Sequence, residues 1–202
     1  MRNTLLALLI AYLLGAIPFG YLLVKWKTGS DVRAAGSGNI GATNVLRAAG
    51  RAAGLATLLL DAGKGYLAVG LAARLTGHSA FCMSAAARTV MAGHAFPIFL
   101  KFKGGKAMAS CIGAFLCLAP IPLAAALAIF VITVAATRFI SLGSVFAAGS
   151  LPLAVWLISH PPLPVVIAAV VAGAFIIWRH SSNLERLRAG SEHVFSFGGR
   201  RK

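Results

Sequence analysis

Thr4–Val24 reads TLLALLIAYLLGAIPFGYLLV and holds no charged side chain. A helix rises about 1.5 Å per residue, so about 20 apolar residues in a row can cross a hydrocarbon core roughly 30 Å thick. The run is too long for the core of a secretory leader, and no small-x-small cleavage site follows it. A first membrane span is therefore expected, not a removed signal. Working outward, apolar stretches at 53–74, 80–100, 106–120, 122–137, 140–158 and 163–178 predict six more spans. The expected fold class is an all-α membrane protein with about seven transmembrane helices. The stretches 106–120 and 122–137 are short and meet at Pro120 and Pro122, so a hairpin or re-entrant pair, with five or six spans, stays open there.

Composition agrees. Of 202 residues, 59% are hydrophobic and 11% charged, and the mean hydropathy is +0.86. A soluble domain is nearer half apolar and a quarter charged, so this chain has too little polar surface to cover a globule in water. Its length suits one domain, 1–202, ending in a flexible basic tail at 198–202. The formal net charge is +15, from 19 Lys+Arg against 4 Asp+Glu. Such a balance raises the question of nucleic acid, but no soluble module pairs basic residues with exposed aromatics, and none is expected as a partner. Cys82, Cys111 and Cys117 sit in apolar stretches without metal-ligand spacing, so they read as small hydrophobes, and no metal or cofactor is expected.

The cations are distributed unevenly. Segments 25–52, 101–105 and 179–202, the turn at Arg138, and Lys106 hold most of them. The alternate connections, at 75–79, 120–122 and 160–164, hold none. Only Arg2 and Arg74 fall on that second side. The positive-inside rule then predicts the N-terminus outside and the C-terminus in the cytoplasm. Anionic lipid or small anionic substrates become the expected partners.

Three polar clusters lie on the expected cytoplasmic face. The first, GSGNIGATNVLR (Gly36–Arg47), contains a literal GxGxxG with Asp61 twenty residues after Gly41. A dinucleotide fold needs a strand before it and a βαβ unit around it, whereas here a charged loop precedes it and Asp61 lies in a span. The glycines still let backbone amides crowd an anion at the start of a helix. Gly38, Asn39 and Gly41 supply that backbone, Ser37, Thr43 and Asn44 add neutral hydrogen bonds, and Arg47 adds a bidentate fork. A capped interfacial turn is the bland alternative. The second cluster, GHAFPIFLKFKGGKA (Gly93–Ala107), fails the P-loop spacing, yet Gly104, Gly105 and Lys106 place two amides and an ammonium where a helix begins. Lys101 and Lys103 suit interface anchors better than substrate contacts. His94, inside the span, is a functional candidate or a satisfied structural histidine.

The third cluster, WRHSSNLERLRAGSEHVF (Trp178–Phe195), supplies His180 and Asn183. His180 and Glu185 form an H-x4-E string that reads as coincidence. Asp61 and Lys64, three apart within a span, are expected to pair or to face a polar cavity, as structural pair or site members.

SGNIGATNVLR, LLLDAGKG (58–65), GHAFPIFLKFKGGKA and RHSSN (179–183), in this order, resemble the bacterial acyl-phosphate-dependent glycerol-3-phosphate acyltransferase family. The resemblance runs from the first span to about Phe195. Ala107-Met108, where a Gly-Val-like pair is more usual, and Leu184-Glu185 are departures. The resemblance implies acyl transfer from acyl phosphate to the 1-hydroxyl of glycerol 3-phosphate, giving lysophosphatidic acid and phosphate, as the first step of phospholipid synthesis. It also implies an inner-membrane protein that makes transient contact with the soluble enzyme producing the acyl phosphate. The expected catalytic set is Ser37, Arg47, Lys106, His180 and Asn183, acting by direct attack without an acyl-enzyme. The expected substrate-binding set is Gly38, Asn39, Gly41, Thr43, Asn44, Asp61, Lys64, His94, Gly104 and Gly105. With no Ser-His-Asp set visible, the base is His180, His94 or a substrate phosphate. The alternative from another class is a membrane transporter of small anionic metabolites, which would spread polar groups over both faces and often carries inverted repeats; neither is evident.

Overall fold

The computed structural model describes residues 1–195; the expected basic tail, 198–202, lies outside them. Among the described residues all regular structure is helical. The chain divides into two compact units, Met1–Leu118 and the part from Ala119 on.

In the first unit, α1 (Arg2–Ala16) and α2 (Phe19–Thr28) form one long apolar segment interrupted at Ile17–Pro18. Proline has no N–H to continue the ladder, so the Leu14 carbonyl takes the Ile17 N–H at 3.3 Å instead. A short helix α3 (Ala42–Ala49) follows, then α4 (Arg51–Leu75), α5 (Ala80–Ala95) and α6 (Met108–Leu118). Among the described residues, four segments are long and apolar enough to cross a bilayer: Arg2–Thr28, Arg51–Leu75, Pro120–Thr137 and Ile140–Ser159. Leu163–Arg179 and Ser181–Arg188 qualify together as a pair bent by 50°.

The apolar stretches read as 80–100 and 106–120 form shorter helices. Phe96, Ile98, Phe99 and Leu100 prolong the hydrophobic run, but Pro97 ends α5, and Ile98–Leu100 make a separate 3₁₀ turn. On the other side of the loop, Ala107 takes φ 59° before α6 can start.

In the first unit, α1 touches α5 and α4 touches α6 backbone to backbone. A Cβ at Gly15 of α1 would strike the Val90 carbonyl of α5, and one at Gly93 of α5 would strike the Tyr12 carbonyl of α1. Gly65 of α4 meets the Ser110 carbonyl of α6, while Gly113 of α6 meets the Ala62 carbonyl of α4. Lipid tails are as apolar as leucine, so helices in a bilayer cohere by such close packing. The core between them is small-residue rich: Ala7, Ala11, Ala68, Val69, Ala72, Ala86, Ala87, Val90 and Ala114. Leu5, Leu9, Leu55, Leu59 and Leu67 point outward.

This packing sorts the loops by end. Asn3 Nδ2 donates to the Leu75 carbonyl at 3.1 Å, and Thr4 Oγ1 lies 3.4 Å from Cys82 Sγ. The start of α1, the end of α4 and the start of α5 therefore share one end. At the other end Leu100 packs with Val32, Ile40, Val45, Ala49 and Ala53. The loop Gly29–Gly41 and the loop Phe96–Ala107 thus meet there.

In the second unit, α7 (Pro120–Thr137), α8 (Ile140–Ala154, continued by a π turn Val155–Ser159), α9 (Leu163–Arg179) and α10 (Ser181–Arg188) run in sequence. Arg138, at φ 62°, turns α7 into α8. Its carbonyl accepts the Phe195 N–H at 2.7 Å, so the segment after α10 returns to that turn.

Glycine placement makes a stability test. Gly113→Val, forced against the Ala62 carbonyl, should lower stability by about 2 kcal/mol or more in detergent thermal melts. Gly70→Ala, where nothing lies within 4 Å of a new Cβ, should be neutral or raise it by up to about 1 kcal/mol.

Candidate functional site

The loop before α3 is organised by one side chain. Asn44 is 2% exposed. Its Oδ1 accepts the Ser37 N–H at 2.9 Å. Its Nδ2 donates toward the carbonyls of Val32 (3.0 Å), Ala35 (3.0 Å) and Asn39 (2.8 Å). Gly36 and Gly38, at φ 57° and 69°, make the left-handed turns this wrapping needs, and a Cβ at Gly36 would collide with Asn44 Oδ1. Asn39 Oδ1 accepts the Gly41 N–H at 2.9 Å, closing the turn into α3. Asn44, expected to hydrogen-bond a substrate, spends its amide on the loop's own backbone. The hydroxyls of Ser37 and Thr43 remain: both residues are half-buried, and neither hydroxyl makes an intramolecular hydrogen bond among the described residues. Arg47 projects from the last turn of α3 and is exposed.

One further ion pair braces this loop. Arg33 binds Asp31 with Nε and Nη2, the closest contact being 2.7 Å, and its guanidinium lies 5.4 Å from the Tyr21 ring centroid. The Arg33 hydrogen bond holds the Asp31 carboxyl below its usual range, partly opposed by burial. Neither residue stands out in the sequence, because a D-x-R pair in a charged loop has no distinctive spacing.

The second loop is stitched to the end of α5. Gly104 N–H donates to the Ala95 carbonyl and Gly105 N–H to the His94 carbonyl, each at 3.1 Å. Side chains at either glycine would strike His94, its carbonyl in one case and Nε2 in the other. The sequence reading offered these two amides to an anion; the structure spends them on terminal carbonyls of α5, which otherwise lack helical partners. What the loop delivers is Lys106, half-buried just before α6.

Beneath it runs a buried polar string. His94 Nδ1 is 3.6 Å from Asp61 Oδ1, and Asp61 Oδ1 is 2.8 Å from Lys64 Nζ. Lys64 Nζ also donates to the Ile17 carbonyl at 2.9 Å, at the break before Pro18, and sits 5.7 Å from the Phe19 ring centroid. All three side chains are at most 3% exposed. An isolated buried charge would be costly, so each supports the others. Asp61, Lys64 and His94 thus form one buried cluster close under the Gly104–Lys106 loop.

His180 and Asn183 belong to the second unit. His180 Nδ1 lies 2.7 Å from the Ile176 carbonyl. Asn183 Nδ2 donates to Glu192 Oε1, and Arg186 Nε to Glu192 Oε2, both at 2.7 Å. Burial raises the Glu192 pKa, but the bonds from Asn183 and Arg186 outweigh it and hold the carboxyl below 4.5. Glu192 was not singled out in the sequence; the only signal was its being one of four acidic residues in a basic chain.

Comparisons with known proteins bear on both units. The family model described as glycerol-3-phosphate acyltransferase matches residues 5–190. A glycerol-3-phosphate acyltransferase of Geobacter sulfurreducens is 46% identical over 195 residues, covering 96% of this chain and 99% of that one. Another, from Desulforamulus reducens, is 44% identical over 190 residues and covers 94% of each. The crystal structure of PlsY, an integral membrane glycerol 3-phosphate acyltransferase, in its glycerol 3-phosphate form superposes with a TM-score of 0.91 at 36% identity. It covers 96% of both chains. Its lysophosphatidic acid form gives 0.87 at 34% identity.

Substitutions at two positions test the local geometry. Asn44→Ala strips donors from three carbonyls and should destabilise by about 2 to 4 kcal/mol; Asn44→Asp, which turns a buried carboxylate oxygen toward those same carbonyls, should destabilise at least as much. For Glu192, the folded pKa lies below the unfolded one, so its stabilisation is present above pH 4.5 and fades as pH falls through the folded value. Limited proteolysis after α10 should accelerate in that acid window in the native chain. In Glu192→Gln it should be faster at neutral pH and show no such acid step.

Proposed function

The chain belongs to the glycerol-3-phosphate acyltransferase family, and from that membership we propose that it moves a fatty acyl group from acyl phosphate to the 1-hydroxyl of glycerol 3-phosphate. The products are lysophosphatidic acid and inorganic phosphate. Family membership leaves the transporter alternative without support. The observation that carries the finer reading is the meeting of the two loops at one end of the first unit, around Leu100 and the Val32–Ile40–Val45 cluster. That meeting puts the uncommitted hydroxyls of Ser37 and Thr43, the guanidinium of Arg47 and the ammonium of Lys106 at one end of a lipid-exposed bundle. Both proposed substrates carry phosphate, and the donor carries a chain that belongs in the bilayer.

The proposed reaction is a direct displacement. The glycerol oxygen attacks the acyl carbonyl carbon, the C–O bond to the donor phosphate breaks, and the hydroxyl proton ends on phosphate. An acyl phosphate already has an activated carbonyl and a good leaving group, so the protein's part is position and charge. Arg47 and Lys106 hold phosphates and stabilise charge as it develops. Ser37 and Thr43 orient the acceptor through neutral hydrogen bonds. Gly38, Asn39 and Gly41 shape the loop that presents them. Asp61, Lys64 and His94 act from below by fixing the loop that ends in Lys106.

The proposal also sets the topology: seven crossings in a bacterial inner membrane, with the loop end of the first unit in the cytoplasm. In its support, Lys25, Lys27, Arg33, Arg47, Arg51, Lys101, Lys103 and Lys106 gather at that end, against Arg2 and Arg74 at the other.

Purified protein given glycerol 3-phosphate and, in turn, acyl phosphate, acyl-CoA and acyl carrier protein should form product with acyl phosphate alone; turnover with a thioester donor and none with acyl phosphate overturns the donor assignment. Lys106→Ala and Arg47→Ala should each lower kcat/KM by about 10² to 10³, with normal melting curves, and near-normal turnover in either would remove that residue from the mechanism. His180→Gln and Asn183→Ala, in the second unit, enter the same assay as separate substitutions. For topology, Ser30→Cys in a background lacking Cys82, Cys111 and Cys117 should react with an impermeant thiol reagent only in inverted vesicles.

A further inference from the structure

Arg88 is a charge that the proposed chemistry leaves aside. It sits at the midpoint of α5, a helix of 16 residues, or about 24 Å at 1.5 Å per residue. Cys82, Ser84, Ala86, Ala87, Val90, Met91 and Gly93 turn inward, whereas Arg88 is half-buried on the outward stripe with Ala85, Ala92 and the 60%-exposed Phe81. Its recorded bond is Nε to the Ser84 carbonyl at 3.2 Å. The guanidinium therefore folds back toward the N-terminal end of α5, the usual direction for a long side chain on a helix. Ser84 is only four residues, or about 6 Å, from the first residue of α5.

Among the described residues, no carboxylate pairs with Arg88. Of the four acidic residues, Asp31 is held by Arg33, Asp61 is buried with Lys64 and His94, and Glu192 is held by Arg186 and Asn183. Glu185 lies on α10, at the close of the last span. A second copy of the chain has the same four acids and cannot supply a free one within the membrane. An arginine in a span needs an anion or a route to water, and its Nη groups form a fork matched to a phosphate. α5 is also shorter than the roughly 30 Å hydrocarbon core, which draws headgroups inward around it.

We infer that Arg88 holds the phosphate of an anionic phospholipid in the leaflet at the Ser79 end of α5, opposite the end that carries Ser37 and Lys106. Phe81 flanks the headgroup position at the interface, and the small side chains of Ala85 and Ala92 leave room along α5 for an acyl chain. A net-anionic headgroup is favoured over a zwitterionic one, whose own ammonium competes for the phosphate. The inference needs α5 to cross the membrane but does not depend on the acyl donor.

The test uses the full chain in mild detergent, with phosphatidylglycerol or phosphatidylcholine added and bound lipid counted by native mass spectrometry. The wild type should retain one phosphatidylglycerol in preference to phosphatidylcholine. Arg88→Leu should reduce that retention about tenfold, the loss expected for one charge-assisted phosphate contact. Arg88→Lys, which keeps the charge but not the fork, should fall between them. Turnover in lipid-free detergent should be unchanged by either variant, so loss of acyl transfer and loss of lipid read out separately. Equal retention in wild type and Arg88→Leu overturns the inference, as does loss of both lipids alike. Should the variants not fold, the wild type decides alone: a phosphatidylglycerol with a photoreactive headgroup should label α5 between Phe81 and Thr89, and labelling confined to other segments overturns the assignment.

Discussion

The contact on which the first unit depends is helix backbone against helix backbone at four glycines. Gly15 and Gly93 join α1 to α5, and Gly65 and Gly113 join α4 to α6, each with its missing side chain filled by a neighbour's carbonyl. In lipid this proximity does the work that exclusion of water does elsewhere. It also sets how the helix ends fall, because parallel helices locked at such short range have little freedom to slide. The two loops that carry Ser37 and Lys106 consequently close over one end, and Leu100 enters the cluster made by Val32, Ile40 and Val45.

At that end, backbone polarity is used before ligands are considered. Asn44 consumes its whole amide on the first loop, and the second loop gives its glycine N–H groups to α5. Attraction for an anion therefore falls to side chains, the cations of Arg47 and Lys106 and the hydroxyls of Ser37 and Thr43. Loops that have already satisfied their own peptides are stiff, and stiff supports suit chemistry that asks mainly for position.

Much of this could be read from residue order. The runs around 4–24 and 53–74 are long and apolar, and they became α1–α2 and α4. The ends of α5 were harder, because Phe96 to Leu100 continue the hydrophobicity while Pro97 stops the helix. Hydropathy measures solvent preference and is blind to that. The three clusters were legible because glycines, cations and small polar residues are rare beside membrane spans. Their internal wiring was not. Nothing in the string distinguishes an asparagine that contacts a ligand from one that ties three carbonyls together, and Glu192 meets Asn183 only because the chain reverses after α10, where Gly190 takes φ 68°. Asp61 and Lys64 were readable as a pair by their spacing; that Lys64 also reaches Ile17 was not, being a contact across 47 residues.

That last contact bears on how the protein is made. Ile17 is synthesised well before Lys64, and N-terminal segments fold first as a chain emerges. Until α4 enters the bilayer, the carbonyl exposed by Pro18 has only the neighbouring Phe19 N–H, at 3.2 Å, from its own chain. The opening span of the nascent protein must therefore wait in a provisional state, held near water or lipid headgroups, and it acquires its final bend only when an ammonium arrives from a helix not yet translated.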